Sequence, residues 1–333
     1  MTGFLSSCSS QAPEPVTFTG LAFYSMPWQV KVSRVPQGVS QTALHAELQQ
    51  TLDSLNKVLS TYQPDTELMR FNATKQGLPF VASPTLFQAV LTARQVSQAT
   101  QGVYDVTVGP LVNLWGFGPQ SVPKHMPQAG EIDSARQRVG WQYLVVEPET
   151  FSLIRKADIQ VDLSSLGEGM GVDALVRVLD KYVIKDYMVS VAGTIQVRGR
   201  KMSGAGWQIA IEKPDGSGFP QQRLTLDGRV SVSTSGSYRN YNEIDGVRFS
   251  HTVDPRTGRP ITHKGISVSV VLPDEQAALA DAWATALNVL GPEEGIQVAR
   301  NAGIPAYYLF KTPTGFDEAF TPSFKAFLQG NKP

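Results

Sequence analysis

The stretch IQVDLSSLGEGMGVDALVRVLDKY, at residues 159–182, changes its pattern halfway along. Its first residues predict a short strand over 159–162, and after the glycines the apolar spacing of three and four predicts a helix over 167–182. One face of that helix carries Val172, Leu175, Val176 and Leu179. A strand, a glycine turn and a helix resemble a phosphate-binding unit in outline only. The stretch lacks the glycine spacing of a dinucleotide fingerprint and the lysine of a P-loop.

The same two periodicities recur along the rest of the chain. Helical spacing predicts helices at 41–62, 84–100 and 275–290, the last ended by Gly291-Pro292. Strand-like runs occur at 28–32, 187–191, 208–211, 222–226, 230–233 and 266–272. We therefore predict an α+β fold, with mixed sheets and packed helices in two lobes that divide near 116–130. Residues 1–16 are expected to be a processing remnant and tether, and residues 17–333 the folded domain.

Composition excludes several classes of protein. The chain has 333 residues, with 29 Lys and Arg balancing 29 Asp and Glu, and 41% of its residues are hydrophobic. A nucleic-acid-binding protein would show excess positive charge or a basic run, so we expect no nucleic-acid partner. Disorder combines low hydrophobicity with high net charge, and neither is present. The composition is that of a globular protein.

The single cysteine, Cys8, rules out an internal disulfide and any multi-cysteine metal site. It lies in LSSC, with a Ser/Gln/Pro-rich tether after it, which resembles a bacterial lipoprotein processing site. Only seven residues precede it, so the export signal is expected to have been removed or the start misplaced. We expect a lipid anchor at Cys8 on the periplasmic side of the bacterial inner membrane. An ordinary cysteine in a frayed terminus is the alternative.

Two polar segments lie beside predicted turns and are candidates for binding or catalysis. Residues 233–241, STSGSYRNY, offer hydroxyls and backbone N–H groups that suit a phosphate, although by themselves they favour an ordinary hairpin turn. Residues 251–260 contain His251 beside Asp254-Pro255. Histidine can accept a proton near neutrality, so His251 is a candidate general base. Alternatively, its ring only hydrogen-bonds within the turn.

A third candidate lies on the last predicted helix. Asp281 and Thr285 are four residues apart and share a face. Carboxylate and hydroxyl oxygens suit Mg²⁺ better than zinc, and Mg²⁺ commonly uses few protein ligands. The structural alternative is a surface aspartate and a threonine that bonds back to its own helix.

Seven segments together resemble the ApbE family, the FAD:protein FMN transferases. They lie in the family's order at 59–72, 102–118, 161–173, 189–193, 234–241, 251–260 and 281–285, and the resemblance as a whole extends over nearly all of residues 20–325. The resemblance implies an ApbE-like, T-fold-like architecture. It also implies Mg²⁺-dependent transfer of FMN from FAD onto a Thr or Ser hydroxyl of a target protein, with release of AMP.

The resemblance also assigns roles to individual residues. His251 matches the base, and the Ser165 carbonyl, Asp281 and Thr285 match the metal ligands. The residues that match FAD contacts are Met26, Tyr62, Val103, Tyr104, Asp105, Asp162, Glu168 and Val253. Two positions depart from the common pattern. Glu168 stands where many relatives carry lysine, and Ala192 replaces the first glycine of a usual pair.

The resemblance further implies the partners. The expected acceptors are flavoprotein subunits of a Na⁺-translocating quinone reductase, of an Rnf-type complex, or of a nitrous-oxide-respiration regulator. Two alternative functions stay open on the sequence. One is an Mg²⁺-dependent FAD pyrophosphatase, which would use water as the acceptor, and the other is a lipoprotein that binds FAD without turnover.

Overall fold

An eight-stranded sheet in which every neighbouring pair is antiparallel forms the centre of the computed structural model. The structure describes residues 14–119, 123, 125–213, 219–236, 241–244 and 246–328. The strands are β1 Val16–Ala22, β2 Met26–Val32, β3 Pro79–Val81, β4 Leu144–Glu147, β5 Ser152–Arg155, β6 Tyr187–Val191, β7 Thr194–Arg198, β8 Trp207–Glu212, β9 Pro220–Leu226, β10 Val230–Gly236, β11 Tyr241–Ile244, β12 Val247–Ser250, β13 Val253–Asp254, β14 Arg259–Pro260, β15 Gly265–Pro273, β16 Ala306–Thr312 and β17 Gly315–Phe320. The central order is β1-β2-β6-β7-β10-β15-β16-β17.

Long helices pack against one face of this sheet, and a hairpin and the short last helix pack against the other. The helices are α1 Gln41–Leu59, α2 Glu67–Ala73, α3 Pro84–Ala99, α4 Gly109–Leu114, α5 Ala129–Arg136, α6 Gly167–Lys181, α7 Ala277–Asn301 and α8 Lys325–Leu328. Side chains of strand β15 are buried on both faces of the sheet. Val268 and Val270 pack in the core that contains α3 and α7, whereas Val271 packs on the other face with Trp207 of the β8–β9 hairpin. The predicted α+β class is confirmed. The division into lobes stays a prediction.

One predicted strand is wrong. Residues 159–162 form only a single bridge, between Gln160 and Val108. The neighbouring backbone groups bond elsewhere: Asn72 accepts from the Val161 N–H and donates to the Val161 carbonyl, and the Asp162 N–H donates to the Val106 carbonyl at 2.7 Å. Because buried backbone groups must find partners, an asparagine side chain here takes the place of a neighbouring strand.

Helices α6 and α7 approach each other closely. A Cβ atom on Gly169 would lie 2.5 Å from the Ala277 carbonyl oxygen, so only glycine fits there. One turn further along α6, the buried Asp173 carboxylate accepts hydrogen bonds from the N–H groups of Ala277 and Ala278, at 2.8 and 3.0 Å. Asp173 thus supplies from another helix the N-terminal cap that α7 lacks in its own Gln276. These contacts fix the start of α7 against α6.

Replacing Asp173 with alanine is expected to lower the free energy of unfolding by about 2–4 kcal/mol, because two charge-assisted bonds to a buried helix start are lost. Asp180→Ala is the matched control on the same helix, since Asp180 is exposed and forms only a surface ion pair with Arg198. Urea unfolding of both variants measures the difference. Equal losses would show that the cap contributes nothing.

Helix α7 continues beyond the predicted end. Gly291 adopts φ +73°, outside helical geometry, and helical residues then resume and run to Asn301. The Asn288 carbonyl loses its helical partner at this break, because Pro292 has no N–H. The Tyr308 hydroxyl donates to the Leu287 carbonyl at 2.7 Å, and His263 Nε2 lies 2.8 Å from the Asn288 carbonyl. Both buried acceptors therefore have donors, and the break is stable.

Within the described residues, no helix has the length and apolar character needed to cross a bilayer. Cys8 and the predicted tether up to residue 13 lie outside the described residues, as do Ser237–Asn240 of the hydroxyl-rich segment.

Candidate active site

The first half of α7 brings two predicted metal ligands together with a third. Asp281 and Thr285 lie one turn apart on the helix, and the Thr285 hydroxyl donates to the Ser165 carbonyl at 3.3 Å. Ser165 belongs to a short 3-10 helix, Ser164–Leu166, immediately before α6. The close approach of α6 to α7 at Gly169 thus places the carbonyl beside the hydroxyl.

Asp281 is buried and hydrogen-bonded on both oxygens. Its Oδ2 accepts from the Gly169 N–H at 2.9 Å, and its Oδ1 accepts from the Ser233 hydroxyl at 3.1 Å. Burial, and then the charge of Glu168, raise the pKa of Asp281 well above its usual range. Because a carboxylate has about four acceptor positions, it can keep these bonds and still bind a cation. A cation would offset the cost of burying the negative charge.

Glu168 is joined to Asp281 by two hydroxyls. Glu168 Oε2 accepts from the Gly193 N–H at 2.9 Å and from the Thr194 hydroxyl at 3.3 Å. Thr194 and Ser233 in turn share a hydrogen bond of 2.8 Å, and Ser233 bonds Asp281. Burial raises the pKa of Glu168. Thr194 could not be predicted from the sequence, since a threonine at the start of a strand carries no distinguishing signal.

Tyr104 and Asp105 lie under this group. The buried Tyr104 hydroxyl shares a hydrogen bond of 2.9 Å with the Ser165 hydroxyl. Asp105 uses one oxygen for the N–H and hydroxyl of Thr107, and the other for the Trp141 N–H at 2.9 Å. Its carboxylate therefore fixes the loop that presents Tyr104. The neighbouring Val103 is buried in the hydrophobic core against which helix α3 packs.

Asp162 is buried at the turn before Ser165, whereas Tyr62 is exposed. Asp162 Oδ1 accepts from the Ser164 N–H at 2.9 Å, which shapes the turn before Ser165. Burial, and then the charge of Asp162, raise the pKa of Tyr62, so the two groups lie near each other. The Tyr62 side chain is 60% exposed, and its hydroxyl donates to the Phe117 carbonyl at 3.3 Å.

His251 follows strand β12 and contacts the same loop. Its ring meets the Phe117 ring edge-on, with centroids 6.3 Å apart. Phe117 therefore links Tyr62, through its carbonyl, to His251, through its ring. Val253 is buried, pairs with Pro260, and packs with Trp115. Sequence analysis singled out Phe117 only as part of a longer motif.

Met26 begins strand β2 at the tip of the first hairpin. It is 36% exposed and pairs with Ala22, and the next residue, Pro27, accepts a backbone bond from Ala192 at 2.8 Å. Ala192 precedes Gly193, whose N–H bonds Glu168. The hairpin tip therefore reaches the site through the Ala192-Gly193 turn.

The donor set fits a hard cation. Among the described residues, no three His, Cys, Asp or Glu side chains gather as a metal-binding group. The Ser165 carbonyl, the Thr285 hydroxyl and the Asp281 carboxylate present oxygen only, which suits Mg²⁺ with further ligands from water and substrate phosphate. The fold and this oxygen-lined group define an α+β protein with a candidate cation site on the face of α7 that carries Asp281 and Thr285.

Solved structures share this fold along nearly its full length. The flavin transferase ApbE from Vibrio cholerae, solved as a histidine-to-glycine mutant, superposes with a TM-score of 0.86 at 38% identity, covering 95% of this chain and 100% of that chain. The flavinyl transferase ApbE of Pseudomonas stutzeri, in its apo form, gives 0.85 at 37% identity, with 95% and 97% covered.

The sequence comparisons give the family. The FAD:protein FMN transferase of Klebsiella pneumoniae (strain 342) is 42% identical over 309 residues, which is 92% of this chain and 87% of that protein. The sequence model of the ApbE family matches residues 24–308. The chain belongs to the ApbE family, which confirms the resemblance.

Proposed function

We propose that this protein is a Mg²⁺-dependent FAD:protein FMN transferase. The observation that carries the proposal is the meeting of the Ser165 carbonyl and the Thr285 hydroxyl, 3.3 Å apart, on the face of α7 that carries the buried Asp281. Membership of the ApbE family supports the same reaction, because the relatives named above are called flavin transferases.

The proposed reaction is a phosphoryl-type transfer. The hydroxyl oxygen of an acceptor Thr or Ser attacks the phosphorus on the FMN side of FAD. The bond from that phosphorus to the bridging oxygen breaks, and AMP leaves with that oxygen. The products are an FMN phosphoester on the acceptor and free AMP, and the proton of the hydroxyl is transferred to His251.

His251 and the α7 face have separate tasks in this reaction. An alcohol is a poor nucleophile until its proton is removed, so the neutral imidazole of His251 would take that proton. Ser165, Asp281 and Thr285 would hold Mg²⁺, which when bound neutralises charge on the phosphate oxygens.

The remaining predicted residues would bind and orient FAD. The exposed ring of Tyr62 is available for stacking on flavin or adenine. Asp162 and Glu168 are placed to accept hydrogen bonds, and Met26 and Val253 to supply apolar contact. Three further residues would act mainly by supporting the site from below, because all of them are buried: Val103, Tyr104 and Asp105. The Asp105 carboxylate already accepts hydrogen bonds from Thr107 and Trp141.

Covalent flavin on a target protein tests the proposal. Co-expression with a candidate acceptor should produce a fluorescent flavin band on a denaturing gel, and replacing the acceptor Thr or Ser by Val or Ala should remove it. AMP release at the same rate without any acceptor would favour an FAD pyrophosphatase instead. FAD binding without AMP release in either case would favour a storage protein.

The proposed acceptors are flavoprotein subunits of a Na⁺-translocating quinone reductase, of an Rnf-type complex or of a nitrous-oxide-respiration regulator. The proposed location is the periplasmic side of the bacterial inner membrane, with a lipid on Cys8. Both rest on the sequence resemblance.

A Cys8→Ser variant tests the anchor. With a full signal peptide fused in front, the unchanged protein should fractionate with membranes, and Cys8→Ser should move it to the soluble periplasmic fraction because the lipid attachment atom is lost. Release of the unchanged fusion would contradict the proposed location.

A further inference from the structure

Helix α7 carries a third polar residue on the face of the proposed metal ligands. Asn288 follows Thr285 by three residues and Asp281 by seven, so all three project from one side of the helix. Its side chain is 2% exposed, and Nδ2 donates to the Thr252 hydroxyl at 3.0 Å. Thr252 is also buried and is the residue next to His251. One side-chain bond therefore joins the helix of the ligands to the neighbour of the proposed base.

The helix break holds Asn288 in place. Since Pro292 has no N–H, the Asn288 carbonyl is open to another donor, and His263 Nε2 lies 2.8 Å from it. His263 Nδ1 accepts from the Gly265 N–H at 3.1 Å, so a neutral ring carries its proton on Nε2 and donates it to Asn288. The ring rests against Gly291, where a Cβ would lie 2.7 Å from it. Asn288 is thus bonded through both its backbone and its side chain.

The hairpin that contains Thr252 is anchored on its other side as well. The Ile261 N–H donates to the Thr252 carbonyl at 3.0 Å, and the Trp115 indole N–H donates to the Gly258 carbonyl at 2.9 Å. A second bond runs from this hairpin to α7, the ion pair between Arg256 and Glu294 at 3.0 Å. That pair is exposed and lies beyond the break, whereas the Asn288–Thr252 bond is buried and adjoins His251.

We propose that Asn288 and Thr252 are positioning residues, which set the imidazole of His251 relative to the oxygen-donor face of α7. This inference rests on the proposed function of His251 as the base. Both side chains are buried, so neither is expected to touch the acceptor. Their bond transmits the position of Asp281 and Thr285, through one helix, to the residue beside His251. Loss of the bond should slow proton removal while leaving FAD and Mg²⁺ binding in place.

Flavin transfer by Thr252→Val, Thr252→Ser and Asn288→Ala, with Glu294→Gln as the matched control, tests the inference. Misplacing a reacting group by about 1 Å costs on the order of 100-fold in rate, so we expect Thr252→Val and Asn288→Ala to lower kcat by roughly 10- to 100-fold. The KM for FAD should change little. Thr252→Ser, which keeps the hydroxyl, should restore most of the rate, and Glu294→Gln should leave it unchanged. The double variant Thr252→Val/Asn288→Ala should be no slower than the slower single variant.

A readout without substrate separates this inference from the proposed function. The imidazole resonances of His251, assigned by comparison with His251→Gln, should shift in Thr252→Val and Asn288→Ala but not in Glu294→Gln. If the unchanged protein transfers no flavin, the proposed function fails while these shifts still report the positioning. Equal rates in Thr252→Val and Thr252→Ser, or unshifted His251 resonances in Thr252→Val, would overturn the inference even if Asn288→Ala does not fold.

Discussion

Replacing Asp281 with asparagine is expected to abolish FAD-dependent flavin transfer while leaving the fold intact. Asparagine keeps the shape and can still bond Gly169 and Ser233, but it removes the only carboxylate among the three proposed metal ligands. Stabilisation of phosphate charge by a bound metal is worth several kcal/mol, so we expect AMP release to fall by at least about 1,000-fold. AMP release from FAD in the presence of Mg²⁺ and acceptor measures the loss.

The stability of the Asp281→Asn variant distinguishes a functional carboxylate from a structural one. Burial and the charge of Glu168 disfavour the ionised form of Asp281 in the absence of a cation, as its raised pKa shows. A neutral amide avoids this cost, so the thermal midpoint of the metal-free variant should equal or exceed that of the unchanged protein. Asp317→Asn, at an exposed aspartate on β17, is the control. A variant that keeps full activity, or one that unfolds, would contradict the proposed role.

Replacing His251 with alanine is expected to slow flavin transfer sharply and to leave FAD binding largely unchanged. General-base catalysis contributes about 100- to 10,000-fold, and this is the loss we expect in kcat. The ring contact with Phe117 adds only about 0.5–1.5 kcal/mol to stability, so the variant should fold. Single-turnover transfer and FAD titration measure the two effects separately. An equal loss of FAD affinity would indicate that His251 is structural.

Local periodicity predicted four of the helices, α1, α3, α6 and α7, and several of the strands. The observed α3 and α6 agree with the predicted 84–100 and 167–182 to within one residue at each end, and β6 spans the predicted 187–191. These elements bury one face or one run of apolar side chains, which the sequence displays directly. Residues 159–162 gave the same signal but bond Asn72, and no local pattern shows a partner that is 89 positions away.

The continuation of α7 was missed for a related reason. Gly291-Pro292 is a sound stop signal, and the helix does break there. The carbonyls of Leu287 and Asn288, just before the break, lie within hydrogen-bond distance of Tyr308 and His263, which come from other parts of the chain. Likewise, the cap of α7 comes from Asp173 rather than from the residue before the helix. Such long-range donors cannot be located from a local pattern.

The candidate site was predictable where its residues share an element. Asp281 and Thr285 meet because four residues make about one helical turn. The Ser165 carbonyl and the Glu168–Thr194–Ser233 chain depend on how α6, α7 and the sheet pack, and only the family resemblance pointed to Ser165. Ser233 was proposed from the sequence only as part of a possible phosphate-binding segment, and Thr194 was not assigned any role.

The structure also accounts for Glu168 and Ala192, the two positions at which the resemblance implies a departure from the family pattern. Glu168 accepts hydrogen bonds from Gly193 and Thr194. A lysine at this position could not accept them, because its ammonium group only donates. The negative charge of Glu168 is therefore stabilised by donors of this chain. Ala192 adopts φ +46°, a left-handed conformation that costs an alanine about 1–2 kcal/mol and a glycine almost nothing. The usual glycine therefore suits this turn, and alanine is accommodated there with strain.

The mass spectrum of a candidate acceptor, taken after incubation with this protein, FAD and Mg²⁺, tests the central claim most directly. The predicted result is a gain of one FMN less one water on a single Thr or Ser, lost when Mg²⁺ is chelated or when Asp281→Asn replaces the unchanged protein. An unchanged acceptor mass while FAD is converted to FMN and AMP, or the same gain without any divalent ion, would contradict it.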